Sequence, residues 1–140
     1  MSTLDALQAA LAGEHACVYG YGLLGPYMSD GDEPAVRAAY DAHRLQRDLL
    51  SAQVRARSAE PDAALAAYAV PFAVTDEATA RRLAGLLEQR LAPLYADLVG
   101  VTSNPRLRET AARALVEAAV RGAFWTGETT ALPGVDQVSP

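Results

Sequence analysis

The sequence predicts an all-α protein: a bundle of four helices with one long connection in its middle. Apolar residues recur at spacings of three and four along four segments, which is the pattern of amphipathic helices. The stretch 58–74 separates the second segment from the third, and its two prolines, Pro61 and Pro71, prevent a single helix across it. A chain of 140 residues is long enough for one domain with its own core.

The first two helices are expected at about residues 3–25 and 34–57. Helix one should begin at Ser2 or Thr3, both suitable N-caps, and Pro26 ends it because the residue before a proline disfavours helical geometry. Pro34 then stands where proline is tolerated, in the first turn of helix two.

The third and fourth helices are expected at about residues 75–99 and 104–126. Thr75 would cap helix three, and Asn104 would cap helix four directly before a proline. Pro93 lies inside helix three and is expected to kink it or to pause it.

The middle connection, 58–74, is long enough to travel the whole bundle. Helix two would be about 35 Å long at 1.5 Å per residue, and an extended chain of this length reaches about 55 Å. Helix three can therefore begin beside the start of helix two and run parallel to it. The tail, 127–140, shows little pattern, although 132–135 could fold back onto the bundle.

Composition excludes several functional classes. The net charge of −5 disfavours nucleic-acid binding, which normally requires a basic surface. No apolar stretch is long enough for a membrane helix, and the N-terminus lacks a basic segment followed by an apolar run. We therefore expect a cytoplasmic protein that binds no membrane. Cys17, the only cysteine, is expected to be a small buried side chain.

Polar residues interrupt the apolar faces near the middle of each helix. Glu14 continues the stripe that runs along helix one, and His43 lies on the inner face of helix two. Glu88 and Glu117 lie at the edges of the inner faces of helices three and four. Counting residues from the helix ends places all four at similar height, and a carboxylate on a buried face needs a partner, a proton or a metal.

Several short segments resemble a known family. The stretch 11–22 (LAGEHACVYGYG), the stretch 39–48, the motif Ala67-Tyr68-Ala69-Val70-Pro71 and the pair Phe124-Trp125 resemble DUF4439, a ferritin-like family of unknown function. The likeness extends over nearly the whole chain. It implies a four-helix bundle of ferritin-like topology and no established activity.

Ferritin-like proteins that hold two metals use one Glu on each of two helices and a Glu-x-x-His motif on each of the others. Glu14, His43 and Glu88 match parts of this pattern, but Tyr40 and Val120 stand where it requires a glutamate and a histidine. A two-metal centre is therefore not expected. A single divalent ion (iron, manganese or zinc) held by Glu14, His43 and Glu88 is one hypothesis.

The favoured hypothesis is a buried polar cluster without metal, formed by Glu14, Tyr40, His43 and Arg47 and satisfied by hydrogen bonds. Glu117 has arginines four residues away on both sides, Arg113 and Arg121. Pairing with them would keep it on the helix surface.

Three functions follow from these observations. The first is a non-catalytic binding or interaction module with a degenerate metal site. It is expected to form a homodimer, with Gly20, Gly22 and the aromatic end of helix one as its contact surfaces. The second is a metal-binding redox or storage protein. The third is a bundle that holds a small apolar ligand near Tyr40 and Trp125. No nucleophile motif or phosphate loop is present, so we expect no catalytic residues and no organic cofactor.

Overall fold

The computed structural model describes residues 1–129 and residue 133, and its described part is a bundle of four helices without strands. Two short 3₁₀ turns, Gly25–Tyr27 and Asp30–Asp32, join the first two helices. The helices are α1 (Thr3–Leu24), α2 (Glu33–Arg55), α3 (Glu77–Val101) and α4 (Pro105–Thr126). The all-α prediction is confirmed, with helix ends shifted by one or two residues. The prediction for 132–135 falls on residues that, apart from residue 133, lie outside the described part.

Side-chain caps fix the helix starts. The Ser2 hydroxyl accepts a hydrogen bond from the backbone N–H of Asp5, whose carboxylate accepts one from the Ser2 backbone in return. Helix α3 is capped by Asp76 and not by Thr75, because the Asp76 carboxylate accepts the Thr79 backbone N–H at 2.8 Å. Asn104 caps α4 as expected.

Pro93 does not interrupt α3. The helix continues through it to Val101, and the proline lies on the exposed side. The amide hydrogen that proline lacks is therefore missing only from the solvent face of the helix, where water can bond the unpaired carbonyl. None of the described helices is both long and apolar enough to cross a bilayer.

The connection between α2 and α3 occupies residues 56–76 and follows α1 from Gln8 to Tyr19. Near the start of α1, Gln8 accepts a hydrogen bond from the backbone N–H of Asp62 at 2.9 Å. Three turns further along α1, the ring of Tyr19 packs on that of Tyr68, with 5.5 Å between centroids. The connection thus carries the chain back to the end of the bundle where α2 began.

Helices α2 and α3 consequently run in the same direction. Arg81, in the second turn of α3, forms a 2.6 Å ion pair with Asp32, directly before α2. At the opposite end, the hydroxyl of Thr3 donates to the carbonyl of Val101, the last residue of α3. The predicted long crossover is confirmed.

Close contact between α1 and α3 depends on a glycine. A Cβ added at Gly20 would collide with the side chain of Leu87. Gly20 is buried inside the chain's own core, so the expectation that it contributes to a dimer contact was wrong. Gly22, on the other face of α1, is exposed and has open space around it.

Candidate functional site

Three charged side chains meet at the centre of the bundle. Glu14 on α1, His43 on α2 and Glu88 on α3 each have no solvent-exposed surface. Each lies near the middle of its helix, and the parallel course of α2 and α3 brings them to the same height. The structure thus unites the three residues that the sequence singled out as candidate metal ligands.

His43 lies between the two carboxylates. Its Nδ1 is 2.7 Å from Glu14 Oε2, and its Nε2 is 2.8 Å from Glu88 Oε1. An imidazolium ring, with a proton on each nitrogen, satisfies both contacts, because an ionised carboxylate can only accept hydrogen bonds. Burial alone would lower the pKa of His43, but the hydrogen bonds to Glu14 and Glu88 outweigh it and raise that pKa to about 9.

Glu88 has three donors on one oxygen. In addition to His43, Tyr21 donates its hydroxyl to Oε1 at 2.7 Å and Arg121 donates Nε–H at 2.9 Å. Burial alone would raise the pKa of Glu88, but the hydrogen bond and charge of His43 and the charge of Arg121 lower it below its usual range. The second oxygen, Oε2, is buried and has no hydrogen-bond partner among the described residues.

Aromatic hydroxyls complete the hydrogen bonding. Tyr95 donates its hydroxyl to Glu14 Oε1, and Trp125 donates its indole N–H to the Tyr21 oxygen at 2.9 Å. Burial, together with the nearby carboxylates, raises the pKa of both tyrosines, so both remain neutral donors. The cluster therefore draws on all four helices.

The formal charges of this cluster cancel. Glu14 and Glu88 contribute two carboxylates, while His43 and Arg121 contribute one cation each. Arg121 itself is about one-fifth exposed, and the carboxylates are fully buried. Burying an unpaired charge is very costly, whereas hydrogen-bonded pairs recover most of that cost. The arrangement can thus persist in the core with protein groups alone.

Two predicted members do not belong to the cluster. Tyr40 is half-buried and its ring stacks beneath the Arg44 guanidinium, 5.5 Å away. Arg47 forms a 3.0 Å ion pair with its neighbour Asp48. Neither hydrogen-bonds to Glu14, His43 or Glu88 within the described part of the chain. For these two residues the prediction was wrong: it added them to the cluster from helix two itself, whereas the partners of His43 come from α1 (Glu14) and α3 (Glu88).

The expected pairing of Glu117 with Arg113 and Arg121 was also wrong. Arg113 bonds Glu109 at 3.1 Å, one turn back along α4, and Arg121 reaches inward to Glu88. A helical spacing of four residues allows a surface pair, but a buried carboxylate without solvent attracts a guanidinium more strongly.

Cys17 is a further polar residue beside the cluster. It is 1% exposed, and its Sγ, one oxygen of Glu14 and one nitrogen of His43 all lie within 4.8 Å of one another. Burial, with smaller contributions from both nearby glutamates, raises the pKa of this thiol well above its usual value. The sequence contained a signal for Cys17 and Tyr21, because they lie three and seven residues after Glu14 on one helical face.

Fold and site together define the class of protein. It is a four-helix bundle with a long middle connection and with carboxylates and a histidine at the centre of its core. The chain belongs to the DUF4439 family, described as a domain of unknown function, whose model matches residues 6–137.

One solved structure is similar over nearly the whole chain. It is the crystal structure of a conserved hypothetical protein from Mycobacterium tuberculosis, with a TM-score of 0.87 and 34% sequence identity. The match covers 89% of this chain and 95% of the other. No curated protein matches the sequence.

Proposed function

We propose that this chain is a non-catalytic, ferritin-like binding module, in which a charge-balanced hydrogen-bonded cluster occupies the position that metal-binding bundles of this kind give to their ions. One observation carries the proposal: both ring nitrogens of His43 bond carboxylates, at 2.7 and 2.8 Å. A histidine in that state has no lone pair available for a metal.

The surroundings of His43 support the same conclusion. Arg121 supplies a second cation next to Glu88, and a divalent ion at this position would meet that positive charge. To bind between Glu14 and His43, the ion would first have to displace a buried proton and break a hydrogen bond to Glu14. Both steps reduce metal affinity.

Elemental analysis tests the proposal. Protein purified without chelator, then exposed to Fe²⁺, Mn²⁺ or Zn²⁺ and desalted, should retain less than about a tenth of an equivalent of metal. A full equivalent that is lost in Glu14→Ala, but retained when the exposed Glu33 is changed to alanine, would overturn it.

A metal-binding redox or storage protein is the second candidate. It is favoured by the buried Glu88 Oε2, which lacks a partner in the described structure, and by the Glu14, Cys17 and His43 ligand atoms within 4.8 Å of one another. In that arrangement Nδ1 of His43 would face the metal and Glu88 would accept a hydrogen bond from Nε2, as carboxylates commonly do behind a metal-bound histidine. A cobalt-loaded protein with a thiolate charge-transfer band that disappears in Cys17→Ser would establish this candidate.

The homodimer remains a prediction. With Gly20 buried in the core, the exposed positions at this end of the helix include Gly22 and Leu23 of α1 and Tyr27 of the following 3₁₀ turn. We expect a dimer mass in light scattering, and a monomer mass that does not change with concentration would contradict it.

The cytoplasmic location likewise remains a prediction.

A further inference from the structure

A cavity of about 200 Å³ lies beneath the long connection, between α1 and α3. Residues 68–71 of the connection form its outer wall, and Leu83, Leu87, Leu91 and Leu94 of α3 form much of its inner wall. It does not lie where the sequence suggested a ligand, since neither Tyr40 nor Trp125 lines it.

The walls of this cavity are suited to an apolar ligand. Besides the leucines, Ala16 and Gly20 of α1 and Val70 of the connection line it. A cavity of about 150 Å³ in another protein accommodates benzene. The present cavity therefore has room for a single ring or a short alkyl chain with a small substituent.

Arg90 is the one charged residue in this lining, and it is exposed. Its guanidinium makes no ion pair or hydrogen bond within residues 1–129. Arg55, Arg82 and Arg106 are likewise without an ion pair in that part of the chain, but Arg90 is the arginine that lines the cavity. An unpaired guanidinium at the rim of an apolar cavity is complementary to a carboxylate on an apolar body, since guanidinium and carboxylate form two parallel hydrogen bonds.

We infer that the cavity under residues 68–71 binds a small monocarboxylate with an apolar ring or short chain, whose carboxylate pairs with Arg90 and whose body contacts the leucines of α3. This inference rests on the proposed function, because it assigns a ligand class to the binding module. Tyr68 forms the flank of the cavity: its ring packs on Tyr19, and its hydroxyl accepts a hydrogen bond from the Leu65 backbone. A ligand would therefore enter a preformed site.

The test is calorimetric titration of the full chain with benzoate and hexanoate, each compared with its neutral counterpart, benzyl alcohol or hexanol. The carboxylates should bind about fivefold more tightly than the alcohols, since a partly exposed ion pair contributes about that factor. Arg90→Gln should remove this difference and leave the alcohol affinities unchanged. Arg106→Gln, a substitution of an exposed arginine on α4, is the matched control and should change nothing.

Location is tested by filling the cavity and by spectroscopy. Ala16→Leu should abolish binding of all four probes. Since that variant could fail to fold, methyl NMR of the unmodified protein provides a second test: the methyl signals of Leu87 and Leu91 should shift with each carboxylate, and those of Leu50 on α2 should not. Equal affinity for acids and alcohols, binding unaffected by Arg90→Gln, or no binding would each overturn the inference. None of these outcomes alters the metal content, which tests the proposed function separately.

Discussion

The imidazole of His43 lies 2.8 Å from Glu88 and is held on its other side by Glu14, so a single side chain of α2 joins α1 to α3. Removing it should leave two carboxylates buried with only Arg121 as a cation. We expect His43→Gln to lower the free energy of unfolding by about 3–5 kcal/mol, the range for breaking a buried ion pair. Urea unfolding followed by circular dichroism measures this.

The neighbouring exposed residue provides the control for that substitution. Arg44→Gln should change the free energy of unfolding by less than about 0.5 kcal/mol. The double variant Glu14→Gln/His43→Gln should lose less than the sum of the single losses, because the two residues form one network. Additive losses would show that the two side chains act independently.

Stability should depend on pH through His43. Its pKa is raised from 6.5 to about 9 on folding, so the folded protein holds this proton more tightly than the unfolded chain. The resulting stabilisation, on the order of 3 kcal/mol, is fully present below about pH 6.5 and is lost as pH rises through about 9. Urea unfolding at about pH 6 and about pH 10 should reveal the loss in the native sequence and a smaller one in His43→Gln. An equal loss of unfolding free energy between these two pH values in both proteins would contradict the assignment of this pH dependence to His43.

Glu88 should make the free energy of unfolding depend on pH in the acidic range. Because its pKa is lowered on folding, its contribution is present above the unfolded value of about 4.5 and is lost as pH falls through the folded value. Acid unfolding, followed by circular dichroism, compares the native sequence with the double variant Arg121→Met/Glu88→Gln. After each protein's free energy of unfolding is expressed relative to its value at neutral pH, the native sequence should begin to unfold at the higher pH. Identical normalised acid transitions would show that Glu88 does not contribute.

Arg121 should stabilise the fold mainly by compensating the charge of Glu88. Arg121→Met removes the guanidinium that lies 2.9 Å from the buried carboxylate, and we expect a loss of about 2 kcal/mol in urea unfolding. In a Glu88→Gln background the same substitution should cost much less, because no charge then needs compensation. The matched control is Arg113→Met on the same helix, whose surface pair with Glu109 should contribute at most about 0.5 kcal/mol. Equal costs in both backgrounds would assign Arg121 a different role.

Two glycines of α1 should respond oppositely to alanine. Gly22→Ala adds a methyl group in open space and should stabilise the helix by about 0.5 kcal/mol or slightly more. Gly20→Ala places its methyl group against Leu87, so the gain in helix propensity is offset or reversed. Thermal unfolding of both variants tests this, and Leu87→Ala should relieve the collision in Gly20→Ala. Equal stabilisation by both alanines would contradict the close approach of α1 and α3.

The sequence predicted the architecture well, because strong local signals mark it. Caps and prolines mark the helix ends, and the connection 58–74 is long enough to allow a crossover along the bundle. Helix α3 runs through Pro93 without the predicted pause, and the proline lies on the exposed side of the helix.

The sequence predicted the site only in part. Glu14 and His43 were recognisable because each interrupts an apolar face. Tyr95, the partner of Glu14, and Arg121, the partner of Glu88, come from other helices. The periodicity of one chain does not fix the rotation of those helices about their axes. Arg121 also had a plausible surface partner in Glu117, so helical spacing alone could not show that it reaches inward.

The charge state of His43 tests the central claim most directly. The chain contains only two histidines, so nitrogen NMR of protein labelled in histidine gives two sets of ring signals, and His43→Gln assigns them. We predict that both nitrogens of His43 remain protonated at neutral pH and up to about pH 8, well above the usual histidine pKa of about 6.5. A nitrogen of His43 that carries no proton at neutral pH, whether bare or bound to metal, would contradict the account.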